Sequence, residues 1–188
     1  MSRPTEPQKK QELLEQCLAS SIEVGALDGS MNSIAKRIGT SGRMLIYHFG
    51  SKQELENQLI GLLEQRLRKK LWSFREEDSV METHELITPL LKMWQHLTSP
   101  EIEGLLKLSM EMSQRAIRGD FKAQGFLERE SQEWISFLLE LTNDRENAIT
   151  LLHLFQGAIL DFLTTGNKLR GKQTIERLAD ALQSPLSS

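Results

Sequence analysis

The chain is poor in the residues that build disulfide-stapled folds and β-sheets. Its 188 residues hold one cysteine, one tyrosine and five prolines, and runs of Val, Ile and Thr are scarce. A lone cysteine excludes a disulfide framework within the chain. Cys17 lies among Leu13, Leu14, Leu18 and Ile22 at helical spacing, where it reads as a small buried hydrophobe rather than a reactive thiol. The first residues, Met1-Ser2-Arg3-Pro4-Thr5-Glu6-Pro7, lack the apolar stretch of a signal peptide, and no uninterrupted apolar run is long enough to span a bilayer. A reducing cytoplasm and no membrane partner are therefore expected. The four histidines fall at no ligand-like interval, and neither a Ser/His/acid grouping nor a glycine-rich phosphate loop stands out. No metal, cofactor or catalytic residue is expected, so an enzyme would need chemistry that the sequence does not signal.

What remains is ordinary soluble material, 39% hydrophobic and 26% charged, enough for one compact unit or two small ones sharing an interface. The net charge of −3 is unevenly spread. Residues 1–72 carry 11 Lys+Arg against 8 Asp+Glu (+3), and residues 73–188 carry 12 against 18 (−6). The basic share is modest, but a phosphate-binding face needs only a local cluster.

Apolar periodicity predicts an all-α chain. Leu14, Cys17, Leu18 and Ile22 give an amphipathic helix over Gln8 to Val24, closed by Gly25 and the Asp28-Gly29 turn. Ser30 is placed to cap a short helix with Ile34, Ala35 and Ile38 on its inner face and Gly39 just past its end. Ser41 is placed to cap a second, running through Arg43 to His48. Two short helices across a glycine turn, the second polar-tipped, form a helix-turn-helix that sets a recognition helix in a DNA major groove. Ser51-Lys52-Gln53-Glu54 reads as a reciprocal capping box launching a long helix to about Trp72–Arg75. Five further helices follow: Thr83 to Leu97, with a kink at Pro89; Ser99 to Arg118; Phe121 to Leu141; one beginning at Asn143 and running to Thr165; and Thr174 to Leu182.

Arg43, early in the recognition helix, is the candidate for base readout by a bidentate pair to guanine. Tyr47 and Lys52 are phosphate candidates, and Ser41 and Gly42 offer backbone amides, although a cap-and-turn role explains both. His48 packs and caps as readily as it touches a phosphate. Ser30, Ser33 and Met44 complete the candidate DNA-binding set. The basic run Arg66, Arg68, Lys69 and Lys70 reads as a solvated helix face. The helix to Thr165 is apolar on two sides and must be buried on two sides, and Gly157-Ala158 would let another helix approach closely. Leu151, Leu154, Phe155, Ala158 and Phe162, with Ile175, Leu178 and Leu182 of the last helix, are the candidate dimer contacts. Trp72, Met93, Trp94, Met110, Phe126, Trp134 and His153 are candidate pocket-lining groups, though each alone is commonly core.

By Ile34-Ala35, Gly39, Leu45, Tyr47-His48-Phe49, Ser51-Lys52 and Leu55, the chain resembles the TetR (tetracycline-repressor) family over roughly residues 8–60. The resemblance implies an all-α protomer of about nine helices. A three-helix DNA-binding head (1–50) would be joined by a long helix to a ligand-binding and dimerisation bundle (51–188). It also implies a homodimeric repressor that binds a pseudo-palindromic double-stranded DNA operator and is released by a small-molecule effector. The family's recognition motif reads Thr-Leu-Tyr-aromatic-His-Phe; here Met44 stands for the threonine and Ile46 for the first tyrosine. Those two departures keep open another reading, a helical protein-interaction module that retains the helix-turn-helix shape without reading DNA.

Overall fold

A computed structural model describes residues 6–27, 29–77 and 86–183. Among them the chain forms nine α-helices and no strand. They are α1 (Glu6–Val24), α2 (Met31–Arg37), α3 (Gly42–Phe49), α4 (Lys52–Glu77), α5 (Ile87–Leu97), α6 (Pro100–Ile117), α7 (Phe121–Thr142), α8 (Arg145–Thr165) and α9 (Lys168–Gln183).

Local chemistry sets most helix ends. Ser30 Oγ accepts from Ser33 N–H at 3.1 Å and Ser41 Oγ from Met44 N–H at 3.2 Å, each satisfying an orphan amide of a first turn. Gly39, at φ +69°, closes α2. Its N–H reaches Lys36 O and the Thr40 N–H reaches Ala35 O, the paired bonds of a Schellman ending.

Four sequence expectations need correction. Only half of the capping box forms: Ser51 Oγ accepts from Glu54 N–H, but the Glu54 carboxylate takes Asn57 and Gln58 instead. Ser51 N–H, left without it, donates to Phe49 O. Pro89 produces no mid-helix kink, because α5 starts at Ile87 and places it in the first turn, where no intrahelical partner awaits its missing N–H; Thr83 lies outside the described residues. Asn143 does not start α8. It ends α7 in a left-handed conformation at φ 52°, and Asp144 caps α8 by accepting from Asn147 N–H. Finally, α9 begins at Lys168 rather than Thr174, with the side-chain oxygen Oδ1 of Asn167 accepting from Leu169 and Arg170 N–H. Gly171 looks like a breaker in sequence, yet it is buried because a Cβ there would strike the Trp94 indole. That indole is fixed by its own bond, Nε1–H to Lys168 O at 3.1 Å.

Two hydrophobic cores result, and the packing does not divide at residue 50. One gathers α1 to α3 around Leu13, Cys17, Leu18, Ile34 and Leu45, and takes Leu55, Leu59 and Leu63 from the first half of α4. It also draws Leu105, Leu108 and Met112 from α6 and Phe126 from α7. The other joins α5 to α9 around Met93, Trp94, Phe137, Leu151, Phe155, Phe162 and Ile175, with Leu71 from the far end of α4 and Ile102 and Leu106 from the other face of α6. Thus both α4 and α6 run through both cores. Cys17 is fully buried, and burial pushes its thiol up to about 11, which leaves it a core group.

Candidate nucleic-acid interface and the cleft behind it

Alternation around α3 separates structure from surface. Leu45 and Phe49 enter the head core, while Arg43, Met44, Ile46 (53% exposed) and Tyr47 (67% exposed) face outward. Arg43 makes no hydrogen bond or ion pair with any described residue, so its guanidinium keeps all its donors for an external acceptor. Tyr47 meets the neighbouring His48 ring edge-to-face, with centroids 5.0 Å apart. Lys52, at the start of α4, leans on Glu56 at 3.4 Å while remaining exposed. Ser30 and Ser41 are exposed caps, and Ser33 turns its hydroxyl back to donate to Ser30 O.

Two members of the candidate set lie inward. Gly42 is buried under α2, and a Cβ there would push the tip of the Asn32 side chain aside. The His48 side chain is only 4% exposed, with Nδ1 3.8 Å from Glu6 Oε2, so it packs the head rather than reaching outward. The basic run on α4 is a solvated face partly spent on ion pairs: Arg66 with Glu15 at 2.6 Å, and Arg68 with Glu64 and Glu133.

The head is tied to the bundle by more than the long helix. Leu27 N–H donates to Glu111 Oε2 on α6 at 2.6 Å, and Gly104 lets α6 meet Ile22 of α1 at a distance that no Cβ would allow. Sequence reasoning identified α4 as the connection and missed α6. The signal was present, since Ile102, Leu105, Leu106, Leu108 and Met112 cannot share one face of a helix.

Behind the head, a cleft of about 520 Å³ opens between α6, α7 and α8. Of the candidate pocket residues, Met110, Trp134 and His153 line it. Met93 and Trp134 line an adjoining enclosed space of about 50 Å³. Trp94 and Phe126 do not line either; the first is locked against Phe162 and α9, and the second is in the head core. The Trp72 side chain lies outside the described residues. Glu130, which lines both spaces, was missed in sequence, although its i, i+4 spacing to Trp134 puts the two on one face of α7.

Most of the candidate dimer contacts are in the protomer's own core. Leu151, Phe155, Phe162 and Ile175 are buried there, because α7 and α9 already cover that side of α8. The open side carries His153, Gly157 and Leu160 (51% exposed), with Leu154, Ala158 and, on α9, Leu178 half-buried beside it. A Cβ at Gly157 would meet nothing within 4 Å, so no helix of the same protomer uses that approach. The Leu182 side chain is outside the described residues. By length and composition α8 also passes as a membrane span, yet with only 33% of its apolar window buried. Asp161, which interrupts that window, is engaged by Arg170 of α9.

Comparison with known proteins agrees with this architecture. Residues 13–59 match the model for bacterial regulatory proteins of the tetR family, a span covering most of α1, all of α2 and α3 and the start of α4. No curated protein matches the sequence. Among solved structures, a transcriptional regulator from Rhodococcus sp. Rha1 superimposes with a TM-score of 0.73 at 15% identity, covering 92% of this chain and 95% of that one. A TetR transcriptional regulator from Rhodococcus sp. RHA1 gives 0.56 at 17% identity over 94% and 99%. The multidrug binding protein EbrR in complex with proflavin gives 0.69 at 15% identity over 92% and 98%. The chain is thus similar to bacterial regulatory proteins of the tetR family over residues 13–59, and from end to end it shares the fold of these solved structures.

Proposed function

We propose that the protein is a homodimeric, ligand-responsive repressor that reads a pseudo-palindromic operator in the cytoplasm. The observation that carries this reading is the outward face of α3, where Arg43 stands uncommitted beside exposed Met44 and Tyr47. Arg43 would pair bidentately with a guanine, Met44 would meet a thymine methyl, and Tyr47 and Lys52 would hold phosphates. In the dimer the two copies of α3 would lie about 34–36 Å apart, one turn of duplex.

Dimerisation would use the open side of α8, with Leu154, Gly157, Ala158 and Leu160 packing against the same helix of a second copy and Leu178 at its edge. This would account for the exposed Gly157 and Leu160 on a helix so apolar, since a soluble helix apolar on two sides requires cover on both. The bundle would take a small molecule in the cleft; EbrR, of the same fold, is a multidrug binding protein that forms a complex with proflavin. Because α4 and α6 both enter the head core, a shift of either would change the spacing of the two heads. A coupling of about 1–3 kcal/mol would alter operator affinity roughly 5–150-fold.

Sedimentation tests the dimer directly. The wild-type chain should run as a dimer at micromolar concentration, and Leu160→Glu, at a half-exposed position, should run as a folded monomer with weakened operator binding. A wild-type monomer would refute the assembly. The exposed Ile46 and Met44 favour the second reading, a protein-docking face; a genomic binding selection that enriches no sequence would support it, whereas salt-sensitive DNA binding with no sequence preference would mark a non-specific nucleic-acid protein.

A further inference from the structure

We infer that the cleft between α6, α7 and α8 binds a cationic amphiphile, an apolar body carrying one ammonium group, with the Glu130 carboxylate as its counter-charge. This rests on the bundle being the ligand-binding half of the protein and names the chemistry of its ligand.

The cleft, at about 520 Å³, falls within the usual size of small-molecule sites. Its walls are mostly apolar, with Leu106, Met110 and Trp134 beside several serines, and Met110 makes them partly deformable. Apart from His153, the single ionisable side chain lining it is Glu130. Glu130 makes no hydrogen bond or ion pair with any described residue, and the two arginines whose charge reaches it, Arg68 and Arg129, are paired with other carboxylates. Arg129 is bound to Glu64 through two bonds of 2.8 and 2.9 Å, and Arg68 lies 3.1 Å from Glu133 and 3.6 Å from Glu64. A half-buried carboxylate without a partner is costly, and in a binding site a cation can supply the missing one. Trp134 lines the same cleft one helical turn along α7, where its ring can add a cation–π contact. A fatty carboxylate would instead set a second negative charge beside the first.

Burial first, and then the nearby Glu64 charge, push Glu130 up to about 7 against the opposing pull of Arg68 and Arg129, with Glu133 adding to the rise. The other charged or titratable groups around it are Lys70 on α4, His96 on α5 and His153 on α8. A cation selects the ionised carboxylate, so affinity should rise with pH up to about 7 and then level off. Below that pH, each unit costs up to about tenfold. Glu130 also borders the small enclosed space that reaches Arg68 and Leu71 of α4. Its neutralisation would therefore be felt beside the helix that joins the head to the bundle.

The test is calorimetric titration of the full-length protein with decyltrimethylammonium, decanol and decanoate at pH 5.5 and 8.5. The tails match, and the quaternary ammonium cannot change its charge, so any pH dependence of its binding belongs to the protein. The ammonium should bind tightest at pH 8.5 and weaken by about tenfold or more at pH 5.5. Glu130→Gln should abolish both its advantage over decanol and its pH dependence while leaving decanol binding intact. A thermal melt of the variant checks that it is folded. If decanol or decanoate equals the ammonium at pH 8.5, a ligand site stands but its cationic assignment falls. If the preference survives Glu130→Gln, Glu130 is not the counter-charge. If none of the three binds, the assignment falls together with the ligand-binding reading of the bundle.

Discussion

The head and the bundle are made of the same helical material, yet one is closed and the other open. In the head, the inward residues of α1, α2 and α3 pack into a single core with α4, α6 and α7, and the exposed apolar groups of α3 lie on its outward face. In the bundle, α8 leaves Leu160 and Gly157 exposed, a cleft stands beside it and Glu130 pairs with no described residue. Under the proposed function the closed part would be a rigid reader, whose contacts must hold their geometry on the duplex. The open part, with surface and charge still to satisfy, is where a second copy and a ligand would act.

The comparison is tested most severely by emptying each core in turn. Phe155→Ala, in the bundle, should cost about 3–5 kcal/mol, and Leu59→Ala, in the head, about 2–5 kcal/mol. Because α4 and α6 enter both cores, each variant should lower one common unfolding transition in urea, seen alike by tryptophan fluorescence and circular dichroism. Two separate transitions would mean that the regions fold independently. Arg43→Ala should weaken sequence-specific DNA binding by about 1–3 kcal/mol and leave the urea midpoint unchanged, since that side chain holds nothing in the fold. Ser41→Ala should cost about 1 kcal/mol of stability and Ser41→Gly only a few tenths of that, which chemical denaturation would resolve.

The smallest effect is expected at Glu130. Its folded carboxyl lies near 7 against an ordinary 4.5, so ionisation opposes folding, and this group's stability contribution falls as pH rises from about 4.5 to 7. Glu130→Gln should therefore be more stable than wild type at pH 8.5 and level with it near pH 4.5. After allowance for solvent screening, the gain should be under about 1 kcal/mol. Urea midpoints at the two pH values measure it.

The same contrast explains what could be read from the sequence. Ser30, Gly39 and Ser41 act on amides and carbonyls within a few residues, so spacing alone located α2, α3 and the turn between them. Arg43 and Tyr47 were legible as surface because Leu45 and Phe49 fix the phase of α3. For Gly42 and His48 local spacing leaves surface and packing roles both open, because the neighbouring helix that covers each is invisible in it. In the bundle the deciding contacts are distant ones. Gly171 looks like a helix breaker until Trp94 is set against it, and Leu151, Phe155 and Phe162 look like a free apolar face until α7 and α9 cover them. Glu130 gave no local sign, because its lack of a partner depends on where Arg68 and Arg129 go.

The central claim, a reader presented twice on one assembly, is tested most directly by genomic binding selection with the purified full-length protein. The expected result is enrichment of an inverted repeat whose half-sites lie about 10–10.5 base pairs apart, centre to centre, or a multiple of that spacing. Enrichment of no sequence, or of a single unrepeated half-site, would contradict it.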